Sequence, residues 1–332
     1  MAHTSKIEWT EATWNPWHGC HKVSQGCKNC YMFRDKKRYG QDPNVVVRAG
    51  DKTFYAPLKW TEPRRIFTCS WSDFFIEESD PWRDEAFAIM ALTPQHTYQV
   101  LTKRPERMLE YFSRGLLKSE ILGTFYGKPE LDALVKGMDK WPLPNVNLGV
   151  SVEDQKTADE RIPLLLQTPN ALPWLSMEPL LGDVDVHDYL GTPYWWCVSC
   201  DSEATATFDE ECARCGDSLQ SIGGIRWVVA GGESGPNARP MHPDWVRSIR
   251  DQCVAVGVPF FFKQWGEWVA LAGQKPGEDF AHVHGHSKRK DFCFPIGSPD
   301  CEQAATMYRL GNHNAGRILD GRTWNEMPEV FQ

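Results

Sequence analysis

The stretch Val146-Asn-Leu-Gly-Val-Ser-Val-Glu-Asp154 decides how the chain is read. Residues 146–150 form a short apolar, β-branched run, Ser151 and Glu153 follow as a polar cluster, and residues 157–166 form a candidate helix. Strand, polar turn and helix in that order make one βα unit. Outward from it the pattern recurs. Apolar or aromatic runs at 65–69, 98–101, 173–175, 227–230 and 259–262 each end in a polar cluster, and further helices are expected at 84–92, 106–111 and 244–256. Strand and helix alternating in this way predict parallel βαβ units, hence an α/β fold. The expected architecture is a partial or closed parallel (β/α) TIM-like barrel of about six to seven units.

In a parallel barrel the C-terminal strand ends meet on one face, where such folds place their chemistry. The polar clusters are therefore the first candidate site residues: Ser70, Ser72 and Asp73; Lys103 and Arg104; Ser151 and Glu153; Ser176 and Glu178; Glu233 and Ser234; and Lys263 with Gln264. Each has a plainer alternative, since a carboxylate after a strand often caps the next helix.

Length and composition narrow the class. A chain of 332 residues accommodates one large α/β domain with an insertion, or two modest domains. With 41% hydrophobic and 24% charged residues it has the balance of a soluble protein, and no apolar run approaches the ~20 residues of a membrane span. A net charge of −8 argues against a general affinity for nucleic-acid backbones. It leaves room for a local basic channel from Lys28, Arg34, Lys36, Lys37 and Arg38, from Lys103, Arg104 and Arg107, or from Lys288-Arg-Lys290, each otherwise a solvated face. Among 15 tryptophans, the sequence neighbours Trp14 with Trp17 and Trp195 with Trp196 are candidates for stacking on a base, the alternative being core.

The residues with the most specific chemistry lie near the start, in Trp14-Asn-Pro-Trp-His-Gly-Cys-His-Lys-Val-Ser-Gln-Gly-Cys-Lys-Asn-Cys-Tyr31. Cys20, Cys27 and Cys30 are spaced C-x6-C-x2-C. Three thiolates would hold a 4Fe-4S cluster with one iron left open for a substrate or cofactor. The alternative is a zinc site completed by His18 or His21. Eleven cysteines spread through a chain whose first residues carry no apolar leader suggest a reducing, cytoplasmic setting.

A second cysteine set, Cys197-x2-Cys200-x11-Cys212-x2-Cys215, carries two knuckles of a four-thiolate zinc site. The acidic, apolar-poor residues between them need the metal to fold. The expected organisation is thus 1–185 for the first part of the barrel with the cysteine loop, 186–224 for a zinc-ribbon insertion with structural Zn2+, and 225–332 for the rest of the barrel and a C-terminal segment. A second cubane on the four cysteines is the alternative. Cys69, Cys253, Cys293 and Cys301 lack motif spacing and read as core or incidental thiols, as His282, His284 and His286 read as a surface loop. Asn312, His313 and Asn314 fall in a turn-rich tail that forms either a lid or a turn.

The Asn-Pro-x-x-Gly-Cys and Gly-Cys-x-x-Cys-Tyr elements resemble the cluster loop of radical S-adenosylmethionine (SAM) enzymes, notably the spore photoproduct lyase-like branch. The usual loop has three residues between its first two cysteines and this one has six, as if 22–24 were inserted. The whole chain is similar to a phage-borne three-cysteine-motif family of that superfamily, sharing Thr68-Cys-Ser-Trp-Ser-Asp-Phe-Phe75, Leu101-Thr-Lys-Arg-Pro-Glu-Arg107, Gly149-Val-Ser-Val-Glu-Asp154, Ser176-Met-Glu-Pro-Leu-Leu181 and Gly231-Gly-Glu-Ser-Gly-Pro236.

The resemblance implies that a reduced cluster on Cys20, Cys27 and Cys30 cleaves SAM, and that the resulting 5′-deoxyadenosyl radical abstracts a hydrogen atom from the substrate. It implies further that Ser70, Ser72 and Asp73 hold the amino group of SAM and that Ser151 and Glu153 contact its ribose. Glu178 and Glu233 are left for substrate, Lys103 to offset carboxylate charge, and Cys69 as a hydrogen-atom donor. The superfamily's Gly-Gly-Glu after the second strand is absent, and Gly231-Gly-Glu233 follows a later strand. By analogy the substrate is a modified thymidine base in phage DNA or a nucleotide, the reaction an isomerisation, and the electron donor flavodoxin- or ferredoxin-like. The competing expectations are a zinc-ribbon nucleic-acid-binding protein without catalysis, and a radical SAM enzyme acting on a peptide or small metabolite.

Overall fold

A computed structural model describes residues 5, 7–191, 194–197, 202–204, 214–215, 220–222, 224–270, 291–294 and 305–329. Seven strands form its main sheet: β1 (Ala12–Trp14), β2 (Arg65–Thr68), β3 (Thr97–Thr102), β4 (Val146–Ser151), β5 (Trp174–Met177), β6 (Trp227–Gly231) and β7 (Phe260–Gln264). They lie side by side in chain order, every neighbouring pair is parallel, and the sheet curls into a half-barrel.

Alternation along the strands sorts side chains into two cores. Ile66, Tyr98, Val100, Leu148, Val150, Leu175, Val228, Phe260 and their neighbours belong to the larger one, together with residues of the covering helices. The opposite face contributes Phe67, Leu101, Trp174, Trp227, Val229 and Phe261 to a second cluster, joined by Ile7, Trp9 and Met327 from the two ends of the chain. Three indoles make up most of this cluster, with ring centroids 5.5 Å apart for Trp9 and Trp174, 5.8 Å for Trp9 and Trp227, and 5.4 Å for Trp174 and Trp227. The Trp174 ring lies directly over Gly149 on β4, where any Cβ would come within 2.4 Å of it. Ile7, Phe67 and Leu101, packed on the same cluster, border the cavity described below.

The helices connecting the strands start slightly earlier than periodicity alone suggests, and two of them are capped by side chains. We label them α1 (Tyr31–Arg38), α2 (Asp80–Leu92), α3 (Pro105–Phe112), α4 (Gln155–Gln167) and α5 (Pro243–Ala255). Asp154 caps α4 reciprocally with Thr157, accepting its backbone N–H at 2.9 Å. Asp244 N–H donates to His242 Nδ1 at 3.1 Å at the start of α5. Two short helices, Leu117–Gly123 and Leu131–Gly137, extend the crossover from β3 to β4.

Between β5 and β6 the chain leaves the half-barrel and returns through a bridge of Leu190 to Ile225, with Gly191 N–H donating to Ile225 O at 2.9 Å. Outside that bridge lies a three-stranded antiparallel sheet of Tyr194–Cys197, Ser202–Ala204 and Gln220–Ile222. A second such sheet, Trp268–Ala270, Asp291–Phe294 and Ala305–Arg309, follows β7. Cys200, Cys212, Cys301, the three histidines at 282–286 and the basic triplet at 288–290 lie outside the described residues. Among those residues no helix is long and apolar enough to cross a membrane.

Candidate functional site

The cysteine loop leaves β1 and is pinned over the strand ends by its own polar residues. Asn15 accepts from Trp71 N–H at 2.8 Å, Gly19 N–H donates to Trp71 O at 3.0 Å, and Cys20 N–H donates to Pro43 O at 2.9 Å. Trp17 is fully buried and its indole N–H donates to Asp73 O at 3.1 Å, while Trp14, equally buried, donates to the carbonyls of Thr53 and Phe54. Both are core residues. Neither is a platform for a base.

Folded in this way, the loop brings Cys20, Cys27 and Cys30 to one small cavity of about 100 Å³, bordered also by Cys69, Asp73, Lys103 and Arg104. Cys27 and Cys30 continue into a larger cavity of about 520 Å³ within the half-barrel mouth. Its wall contains Ser70, Ser72, Ser151, Ser176, Glu178 and Lys263. The polar strand ends named from sequence therefore converge on one space.

Two buried carboxylates hold the loop from opposite sides. Glu153 is fully buried beneath it, and Gly26 is required there because a Cβ would sit 2.6 Å from the Glu153 carboxyl carbon. Its Oε1 pairs with Lys103 and accepts from Ser24 Oγ at 3.0 Å and from Arg161 at 3.3 Å, while Oε2 is buried without a partner. Glu233 is 7% exposed and accepts from Asn29 Nδ2 at 3.0 Å, from Arg239 N–H at 2.8 Å and from the Arg239 guanidinium at 2.7 and 2.9 Å. The same guanidinium donates to Gln25 O at 3.0 Å. Burial by itself would raise the Glu233 carboxyl, but the donors and charge of Arg239 with Asn29 outweigh it and hold its pKa below the ordinary value.

Asp73 is committed to a third junction. Its Oδ1 accepts from Thr102 Oγ1 at 2.6 Å and Phe75 N–H at 2.9 Å, and its Oδ2 from Lys103 N–H at 2.7 Å and Arg104 at 3.0 Å. Every lone-pair direction is thereby engaged, and the β2 and β3 exits are joined. Burial, followed by the Asp73 charge, lifts the Cys20 thiol to about 12 against the opposing pull of Arg104, so only a metal cation would strip that proton near neutrality.

On the far wall Glu178 receives Lys263 Nζ at 2.7 and 2.9 Å and Gln264 Nε2 at 3.0 Å. Donors and an acceptor thus stand together facing the cavity. Cys69 is 4% exposed and sits in the left-handed region at φ +65, uncommon for a non-glycine residue, at the point where β2 ends. Burial pushes its thiol pKa well up, with the Asp73 carboxylate adding to the effect, so it carries its proton at neutral pH.

His21 Nε2 lies 2.5 Å from Glu78 and His18 Nδ1 lies 2.5 Å from Lys36, so both imidazoles near the cysteines have partners within the fold. Among the described residues no three His, Cys, Asp or Glu side chains gather as a single ion would require. Cys20, Cys27 and Cys30 nevertheless border one cavity, as the ligands of a cluster would have to. In the insertion, Cys197 ends a strand that pairs antiparallel with Ser202–Ala204, with Cys197 opposite Ser202, and Cys215 is exposed in a turn.

Ser24, Asn29, Arg161 and Arg239 were not singled out from sequence, although all four bind the carboxylates that clamp the loop. The one signal that could have found them is Gly26 with its polar neighbours, which marks a close approach to something large. Asn312–Ala315 is a single helical turn bounded by Gly311 and Gly316, both at positive φ. No curated protein and no solved structure matches the chain. A model of one family, described as a protein of unknown function (DUF5131), matches residues 4–328, and the chain belongs to that family.

Proposed function

We propose that this protein is a radical SAM enzyme whose 4Fe-4S cluster is held by Cys20, Cys27 and Cys30. The observation that carries the reading is the shared cavity of those thiols, which adjoins a cavity of about 520 Å³ at the C-terminal ends of parallel strands, with Cys27, Cys30 and Cys69 bordering both. Bound there, the cluster would supply the electron that cleaves SAM and so the radical that abstracts a hydrogen atom. The chain's own residues do the rest. Ser70, Ser72 and Ser151 offer hydroxyls to SAM, whereas Asp73 and Glu153 fix the loops that carry those hydroxyls. Glu178 with Lys263 offers an acceptor and a donor to substrate, and the buried Cys69 thiol borders both cavities with its hydrogen in place.

The substrate we propose is a modified thymidine base in DNA, with isomerisation as the reaction and a flavodoxin- or ferredoxin-type protein as the electron source. We also propose that the insertion is a zinc ribbon on Cys197, Cys200, Cys212 and Cys215. Its support is the antiparallel pairing that sets Cys197 opposite Ser202, together with the Cys-x2-Cys spacing of both halves.

Anaerobic reconstitution tests the reading through iron and zinc content and the electron paramagnetic resonance spectrum of the reduced protein, with and without SAM. About four irons and one zinc per chain, with a cubane signal that SAM alters, are expected. Zinc in both cysteine sets and no cubane would overturn it in favour of a binding protein.

A further inference from the structure

The segment from His21 to Arg48 carries seven lysines and arginines against two aspartates, in a chain whose net charge is −8. That concentration is local and lies at the mouth, because Gly26, Cys27, Asn29, Cys30 and Tyr31 of the same segment line the cavity. Three of its seven cations are accounted for within the fold. Lys36 is 2% exposed against His18, Arg34 pairs with Asp35 at 3.1 Å, and Arg48 pairs with Asp51 at 2.8 Å. Lys22, Lys28, Lys37 and Arg38 are exposed and have no carboxylate partner among the described residues.

The geometry points to a rim for the phosphates of a DNA strand, formed by Lys22, Lys28, Lys37 and Arg38, and we propose it as such. It deepens the reading that the mouth receives a nucleobase. Lys22 Nζ donates to Lys28 O at 2.7 Å and lies 5.0 Å over the Phe33 ring, which sets its ammonium beside Lys28 at the tip of the cysteine loop. From Tyr31 the helix α1 carries the charge outward for about 10 Å to Lys37 and Arg38, at ~1.5 Å per residue. Two aromatic rings interleave with the cations: Tyr31, at the lip of the cavity and 39% exposed, and Tyr39, 69% exposed. Basic side chains with interleaved exposed aromatics are the footprint of a nucleic-acid strand rather than of an acidic protein. A cavity of about 520 Å³ is too small for a duplex, so a base in polymer must be turned out of the stack to reach it. The phosphates flanking that base then fall on the rim.

Fluorescence anisotropy with a short labelled DNA duplex, titrated at several salt concentrations, tests the proposal on the full-length protein. The variants are Lys22→Ser with Lys28→Ser, Lys37→Ser with Arg38→Ser, and Lys136→Ser as a control on a remote exposed lysine. Each rim pair is expected to weaken binding several-fold and to lower the slope of log affinity against log salt by about one per cation removed, with iron content unchanged. The control should bind as the wild type does. Wild-type binding that the rim variants leave intact would overturn the rim while leaving the nucleobase reading in place. Failure of the wild type to bind DNA at low salt overturns both. Intact DNA binding with lost reduction by an acidic electron carrier would reassign the rim to a protein partner.

Discussion

The guanidinium of Arg104 stands between Asp73 and Cys20, 3.0 Å from the carboxylate and 3.9 Å from the sulfur through each of its terminal nitrogens. It is 12% exposed, so its charge is poorly screened by water. A cation donating to a ligand sulfur stabilises the more negative, reduced form of an iron–sulfur centre. With the proposed cluster on Cys20, Arg104→Gln is expected to keep its iron and to move the midpoint potential to a more negative value, with Arg104→Lys in between. A redox titration followed by electron paramagnetic resonance reads this directly, and equal potentials in all three proteins would count against it.

Glu233 and Arg239 tie the loop after β6 to the cysteine loop through Asn29 and Gln25. Glu233→Gln keeps the shape and removes the charge. It should cost about 1.5–3 kcal/mol, the worth of hydrogen bonds to a charged group. Urea unfolding measures the loss, and reconstituted iron should fall with it because the loop is less firmly held.

Gly149 and Trp174 form a pair in which one residue is small so that the other can be large. Gly149→Ala is expected to destabilise the protein by about 1–3 kcal/mol through overpacking. Trp174→Ala should cost about 3–5 kcal/mol through the cavity it leaves. In the double variant most of the Gly149→Ala cost should vanish, since the clashing ring is gone. Additive effects in a thermal-melt cycle would show that the indole does not sit where we describe it.

Asp320 gives a pH dependence whose sign follows from its partners. Hydrogen bonds from Arg247 at 2.8 and 3.0 Å, followed by those from Arg250 against an opposing burial contribution, hold its pKa below the ordinary 3.8. A carboxyl depressed on folding contributes stability above its unfolded pKa and loses it as pH falls through the folded one. Asp320→Asn should therefore be less stable than the wild type near neutrality, and the two should converge as pH falls from about 4 downward. Asparagine tolerates the positive φ of this position, +51, so backbone strain does not confound the comparison.

These residues also mark how far a sequence can be read. The polar clusters at Ser70, Lys103, Ser151 and Glu178 were legible because each follows an apolar run, and parallel strands must bring such ends together. The carboxylate partners were not. Ser24 reaches Glu153 across 129 residues and Asn29 reaches Glu233 across 204, and no local period encodes a pairing at that distance. Glu233 read as a substrate contact on position alone; it does border the larger cavity, and the loop clamp that both its oxygens also serve was invisible to that reading. The tryptophans teach the same lesson. Sequence neighbours Trp14 and Trp17 drew attention, but the three indoles that pack on one another are Trp9, Trp174 and Trp227, brought together by strand parity and the curl of the sheet.

The tryptophan cluster also ties distant parts of the chain to the same strands. Ile7 and Trp9 precede the sheet, Met327 follows it, and all three pack with Trp174 and Trp227. Synthesis delivers Trp9 long before Met327, so this face stays unsealed until the sheet between them has been made.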